Sequence, residues 1–278
     1  MRRVLWILGL AVLLSACSSL RLGYEQLPRL ASWWVDDYVD LDRTQQAQFD
    51  RAWAQWQAWH RREELPRLQA LLAQAEQGLK AGSLDTRALA ALEAGLAQSV
   101  ERSLAHLAPL ATPLLASLSP AQWTDLQRAI DERQARWWRE QQGSEDARRR
   151  AREKGFTRSL ARWTGDLSRP QEALARERAA HWPVDLVAWR AQREQRQAQA
   201  VAGLRDWAAG QQSNGVRHLM LALNQVPGAR SASEQALRDA VAADALAVVA
   251  LAQAEQRRAT AQRWAEWRQE LGRLHVAR

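Results

Sequence analysis

Apolar residues recur at helical spacing over almost the whole chain, and this leaves little room for anything but a helical protein. No segment alternates apolar and polar positions among β-branched neighbours as a half-buried strand does. Over residues 43–64, Phe49, Trp53, Trp56 and His60 fall at steps of four, three and four, one stripe of an amphipathic helix. Pro66 is expected to kink or restart that helix, while Leu65, Leu68 and Leu72 carry the stripe on to Gly78 and Gly82. Residues 85–117 repeat the pattern through Leu89, Leu92, Leu96, Val100 and Leu107, with a break expected at Pro109 and Pro113. Further helices are predicted over 120–142, 145–164, 169–181, 184–210 and 216–225.

The last predicted element is the longest, from Ser231 or Ser233 to about Leu274. Its early seam is Leu237, Val241, Ala245, Val248 and Ala252, and its late seam is Trp264, Trp267, Leu271 and Leu274. At 1.5 Å per residue such a helix extends roughly 60 Å. Gln256, Arg257 and Arg258 interrupt the stripe between the seams, and any bend is expected there. The expected fold is therefore all-α, an elongated multi-helix bundle with a long C-terminal helix. A chain of 278 residues can bury a real core. Gln141–Asp146 and Pro227–Ser233 are the only linker-like stretches, and neither is long enough to divide the helical domain expected over residues 25–278.

The first residues read as an address. Arg2 and Arg3 precede Val4–Leu14, an apolar stretch shorter than the about 20 residues a spanning helix needs. Leu14, Ser15, Ala16 and Cys17 follow, and this run resembles the lipobox of bacterial lipoproteins. The resemblance implies a removed signal peptide over residues 1–16 and acyl chains such as palmitate on Cys17. It also implies a short tether over residues 17–24, with the membrane as a partner through those chains. Cys17 is the only cysteine, so no disulfide is expected in an oxidising compartment. Ser18 stands where Asp would signal inner-membrane retention, which favours a periplasm-facing lipoprotein of the outer membrane. Losing Arg2 and Arg3 leaves 37 − 31 = +6, a charge that suits lipopolysaccharide phosphates, anionic lipid or peptidoglycan. Nucleic acid is excluded by that compartment.

A short pattern occurs three times, as Leu41-Asp42-Arg43-Thr44-Gln45, Leu118-Ser119-Pro120-Ala121-Gln122 and Leu167-Ser168-Arg169-Pro170-Gln171. Each reads as a capping box: the Asp42, Ser119 or Ser168 oxygen accepts from the third helical amide, and Gln45, Gln122 or Gln171 reaches back to the N-cap amide. The pattern resembles the LTxxQ motif of the Spy and CpxP periplasmic chaperones, helical proteins that cradle unfolded clients, although Asp or Ser replaces the motif's Thr. A broader resemblance is to an uncharacterised Gram-negative lipoprotein family, domain of unknown function 6279. It rests on residues 21–24 (Arg-Leu-Gly-Tyr), on the run from Trp33 to Leu41, on the run from Trp59 to Pro66, and on the run from Arg162 to Leu167. That resemblance brings no activity with it.

Candidate chemistry is sparse. Asp36, Asp37, Asp40 and Asp42 form the densest carboxylate cluster, but the spacing is not that of an EF-hand loop, and capping explains carboxylates ahead of a helix. His60 with Glu63 and Glu64 makes half a metal site at most, and a structural histidine closing an aromatic stripe is the expected role. There is no GxSxG, SxxK, P-loop or GxGxxG. No catalytic residue, metal ligand or cofactor is expected. The run Arg148-Arg149-Arg150-Ala151-Arg152 reads as a solvated helix face beside Glu145, Asp146 and Glu153.

The aromatic usage is lopsided, 15 Trp against two Phe and two Tyr. Trp53, Trp56, Trp137, Trp163, Trp182, Trp189, Trp264 and Trp267 fall at core spacing. The consecutive pairs Trp33-Trp34 and Trp137-Trp138 cannot both face one narrow seam, since neighbours on a helix lie about 100° apart. One member of each is expected to be exposed or at an interface. The expected function is thus a non-enzymatic binding or interaction role in the envelope, with an envelope protein, peptidoglycan or lipopolysaccharide as partner and the two Trp pairs as candidate surface. A Spy-like holdase is the alternative, and a cell-wall-acting enzyme using the Asp36–Asp42 cluster with His60 the third.

Overall fold

A computed structural model describes residues 23–82, 85–210 and 231–276. The lipobox, Cys17 and the helix expected over 216–225 lie outside the described residues. Within them the chain is helical and contains no strand. The helices are α1 (23–36), α2 (Arg43–Trp59), α3 (Leu65–Lys80), α4 (Thr86–Ala116), α5 (Pro120–Gln141), α6 (Glu145–Thr164), α7 (Arg169–Ala180), α8 (Leu186–Ala208), α9 (Ala232–Ala250) and α10 (Ala254–Val276). Tyr24, placed in the tether by sequence, is already helical and buried.

Pro66 sits in the first turn of α3, where the helix resumes after a π turn. It cannot donate to the Arg62 carbonyl, and its ring crowds that group. A π turn over His60–Glu64 absorbs the misfit, with the Leu65 amide donating to the His60 carbonyl, and α2 runs on into α3. Pro109 and Pro113 fail to break their helix: α4 continues through both. The two lie four residues apart on an exposed face, so the carbonyls they leave without an amide donor face water rather than core.

The long C-terminal helix expected from sequence is instead two helices. The break falls at Leu251–Gln253, ahead of the Gln256–Arg258 interruption and without a Gly or Pro to cause it. One long-range and one local side chain take carbonyls at the break. The Gln171 side chain donates to the Val248 carbonyl at 3.2 Å, and the Arg257 guanidinium to that of Ala252. From there α10 turns back to run antiparallel along α3, with Leu274 beside Leu65 and with Ala261 and Trp264 beside Leu79. The late seam thus meets the stripe of α3, and Tyr24 and Leu27 of α1 close the end of the pair. A second core joins Phe156 and Leu160 of α6, Ala175 and Ala179 of α7, and Val248 of α9.

All three capping boxes form, and a fourth sits at Ser231 and Glu234 ahead of α9. Their glutamines also do long-range work. Gln45 donates to the Ser117 carbonyl at the end of α4 (2.9 Å), while Gln122 donates to the Asp40 carbonyl, two residues before the α2 N-cap (2.7 Å). The second half repeats the arrangement. Gln171 holds the end of α9, and Gln256, third residue of α10, donates to the Asp166 carbonyl two residues before the α7 N-cap (3.1 Å). The chain therefore builds one helix-corner device twice, although the spacing of the sequence motifs shows no fixed period.

Candidate functional site

The α4–α5 corner borders a sizeable cavity. A cavity of about 530 Å³ lies between α1, α2, α4, α5 and α8, within the size range of small-molecule sites. Its walls are almost wholly apolar. Leu104, Leu107, Leu114 and Leu115 come from α4, Phe49 and Trp53 from α2, Leu126 and Ile130 from α5, and Val201 and Leu204 from α8. The Tyr38–Leu41 link after α1 closes one side and is pinned in three ways. The Gln122 bond holds Asp40, Arg133 pairs with Asp37 at 2.5 Å, and the same guanidinium lies 4.4 Å over the Tyr38 ring.

One member of each tryptophan pair lines this cavity. Trp34 does so from α1, packed 4.9 Å from Tyr38, and Trp137 does so from α5 with Arg193 of α8 5.2 Å over its ring. The pairs differ in exposure. Trp33 and Trp34 are 66% and 50% exposed, whereas Trp137 and Trp138 are both half-buried, the second beneath Arg190 at 4.6 Å. At the first pair both members are exposed, since among the described residues no helix packs over the outer face of α1, whereas at the second pair neither is, because Arg190 and Arg193 of α8 lie over the two rings. Trp163, expected in the core, is also exposed, with its ring edge-on to Trp264 and Trp267.

The polar groups at the cavity are mostly cationic: Arg133, Arg136 and Arg193 join the apolar lining with Glu140 and Gln197. The Nε of Arg193 donates to Gln134 at 2.8 Å, and Arg136 has no ion pair among the described residues. The indole N–H of Trp53 is buried without a hydrogen-bond partner, an arrangement native structures rarely leave standing. Sequence alone had no means of finding Arg133, Arg136 and Arg193, since their convergence depends on α8 lying across α5.

The remaining candidates are dispersed. Asp42 caps α2, Asp37 serves Arg133, and Asp36 is exposed. None of the four aspartates lines the cavity, and neither does His60. Among the described residues no three metal-ligating side chains cluster. His60 opens the π turn, with its Nδ1 hydrogen-bonded to the Tyr24 hydroxyl oxygen at 3.1 Å and its ring 4.8 Å from that of Trp56. Burial holds its pKa below the ordinary histidine value, with Glu64 pulling the other way.

Glu64 itself is fully buried. Burial works to raise its pKa, but hydrogen bonds from Arg102, Ser99 and Arg67 outweigh that and hold it low. Three of the four arginines in the α6 run pair on their own helix, Arg148 and Arg152 with Glu145, and Arg149 with Asp146 and Glu153, while Arg150 is exposed.

Residues 37–228 match a family of unknown function, DUF6279, over more than half of the chain. The chain belongs to that family. The DUF6279 match takes in α2 to α8, every helix of the cavity wall except α1, and three of the four aspartates. No curated protein and no solved structure matches the chain.

Proposed function

We propose that this DUF6279 protein is a lipid-anchored component of the Gram-negative envelope, facing the periplasm from the outer membrane, with a non-enzymatic binding function centred on the α1/α2/α4/α5/α8 cavity. The observation that carries this reading is the cavity itself, an apolar chamber of about 530 Å³ that five elements converge to build. Trp34 and Trp137 give it aromatic walls, and the Arg136 guanidinium at its edge has no ion pair among the described residues. No nucleophile, acid–base pair or metal-ligand set enters the argument.

The test is binding of an apolar dye, N-phenyl-1-naphthylamine, to the full chain, read by energy transfer from tryptophan. Saturation at one dye per chain is expected. Leu126→Trp, which fills the cavity from α5, should weaken binding at least tenfold while leaving the far-ultraviolet circular dichroism unchanged. Dye binding untouched by the filled cavity would remove the cavity as the site.

A Spy-like holdase is the second reading. Leu30, Trp33 and Trp34 lie at i, i+3 and i+4 on α1 and form an exposed apolar strip beside the cavity, a surface that suits the apolar stretches of an unfolded client. It predicts that near-stoichiometric protein suppresses aggregation of such a client. Absence of suppression would discard it.

A further inference from the structure

We propose, building on the reading of the cavity as the binding site, that its ligand is an anionic single-chain amphiphile. The acyl chain would lie along the leucine wall, and a carboxylate or phosphate head would sit against Arg136 and Arg193.

The shape of the wall argues for a chain rather than a ring system. On α4 the lining runs from Leu104 to Leu115, at helical spacing along one face. Eleven steps of 1.5 Å make a stripe roughly 16 Å long. Such a stripe matches an extended hydrocarbon, and its side chains offer no hydrogen-bond partner that would orient a polar scaffold.

The polar groups argue for an anionic head. Arg136 has no partner among the described residues, and Arg193 spends only its Nε, on Gln134, which leaves its terminal nitrogens for a ligand. The face of Trp137 lies beneath Arg193 and fixes the direction of the guanidinium. Arg133 is not counted, because Asp37 already neutralises it. Glu140 shares the lining and opposes an anion, but it stands four residues from Arg136 and makes no ion pair with it, so the favourable position is on the Arg193 side. The Arg136 guanidinium and the terminal nitrogens of Arg193 suit a ligand that brings oxygen acceptors and negative charge, since a planar guanidinium binds carboxylate or phosphate in fork geometry.

The experiment is native mass spectrometry of the full chain, held in a non-ionic detergent, with palmitate, 1-palmitoyl lysophosphatidate and hexadecyltrimethylammonium presented separately at equal concentration. A one-to-one adduct is expected with an anionic chain and none with the cationic one. Preference for palmitate identifies a free fatty acid, and preference for the phosphate head identifies a lysophospholipid. Arg136→Glu combined with Arg193→Glu should lower the anionic adduct at least tenfold while the chain still binds N-phenyl-1-naphthylamine, which shows that the cavity remains intact. Equal adducts with anionic and cationic chains, or an unchanged anionic adduct in the double variant, would overturn the proposal and leave the cavity as an unselective apolar site. Failure of the wild-type chain to bind dye or amphiphile would overturn the cavity reading and this proposal together.

Discussion

The side-chain amides of Gln45 and Gln122 face each other across the packed starts of α2 and α5, each donating to the other, at 3.0 and 2.6 Å. Each amide oxygen also accepts from its own N-cap backbone, at Asp42 and Ser119. One pair of side chains thereby caps two helices and ties them together. Gln45→Ala should destabilise the protein by about 1–3 kcal/mol, because it strands the Ser117 carbonyl and half of the Gln122 amide. Urea denaturation of the two single variants and the double variant should show a coupling of about 0.5–3 kcal/mol. Arg43→Ala, an exposed neighbour on the same turn, should stay within about 0.5 kcal/mol of wild type.

The equivalent position in the second half is more deeply buried, with Gln171 only 1% exposed against the end of α9. Gln171→Ala should therefore cost at least as much as Gln45→Ala and should loosen the α9–α10 break. Hydrogen exchange of the Leu251–Gln256 amides reads that effect, and unchanged protection there would mean that the break does not depend on Gln171.

Glu64 has no contact with water and is held by Arg102 through two bonds, at 2.6 and 3.0 Å. Arg102→Ala leaves that carboxylate with only Arg67 and the Ser99 hydroxyl and should cost about 3–5 kcal/mol. Replacing both partners, as Glu64→Met with Arg102→Leu, removes the charge as well as its partner and should recover most of the loss. A double variant as unstable as Arg102→Ala would show that the pair is needed for more than mutual neutralisation. Chemical denaturation measures all three.

His60 makes stability depend on pH in a stated direction. Its folded-state pKa lies below the ordinary value of 6.5, so below that pH the unfolded chain binds more protons. The contribution is complete above about 6.5 and is lost as pH falls through the lower folded-state value. Glu64, held below the ordinary carboxylate value of 4.5, weakens only in more acid solution. Between about pH 7.5 and pH 5 the urea midpoint should fall, and His60→Gln should flatten that slope. A slope unchanged by the substitution would place its origin elsewhere.

Cys17 is expected to carry the anchor. Cys17→Ser should abolish labelling by radioactive palmitate and leave the precursor uncleaved, and labelling that survives the substitution would exclude the lipoprotein reading.

Helix positions were largely legible in the sequence because they depend on local physics. Periodicity located α5, α6 and α7 to within a residue or so, and the Asp42, Ser119 and Ser168 patterns marked where α2, α5 and α7 begin. The Ser231–Glu234 box has the same spacing and could have been found by the same rule. Prolines misled at Pro109 and Pro113, since the cost of a proline depends on where its unmatched carbonyl points. The tryptophan pairs were recognisable as unusual, but not which members would share a cavity.

What the sequence determined by itself is the helical class, the stripe on each helix and the residues that cap it, because spacing and hydrogen-bonding groups within one turn are enough to set them. The three-dimensional structure alone decided which stripes meet, that α10 folds back on α3 after a break with no local cause, and that Arg136 and Arg193 come to one apolar chamber. These outcomes rest on contacts between residues far apart in the chain. A partner such as the Val248 carbonyl for Gln171 exists only once both helices are in place.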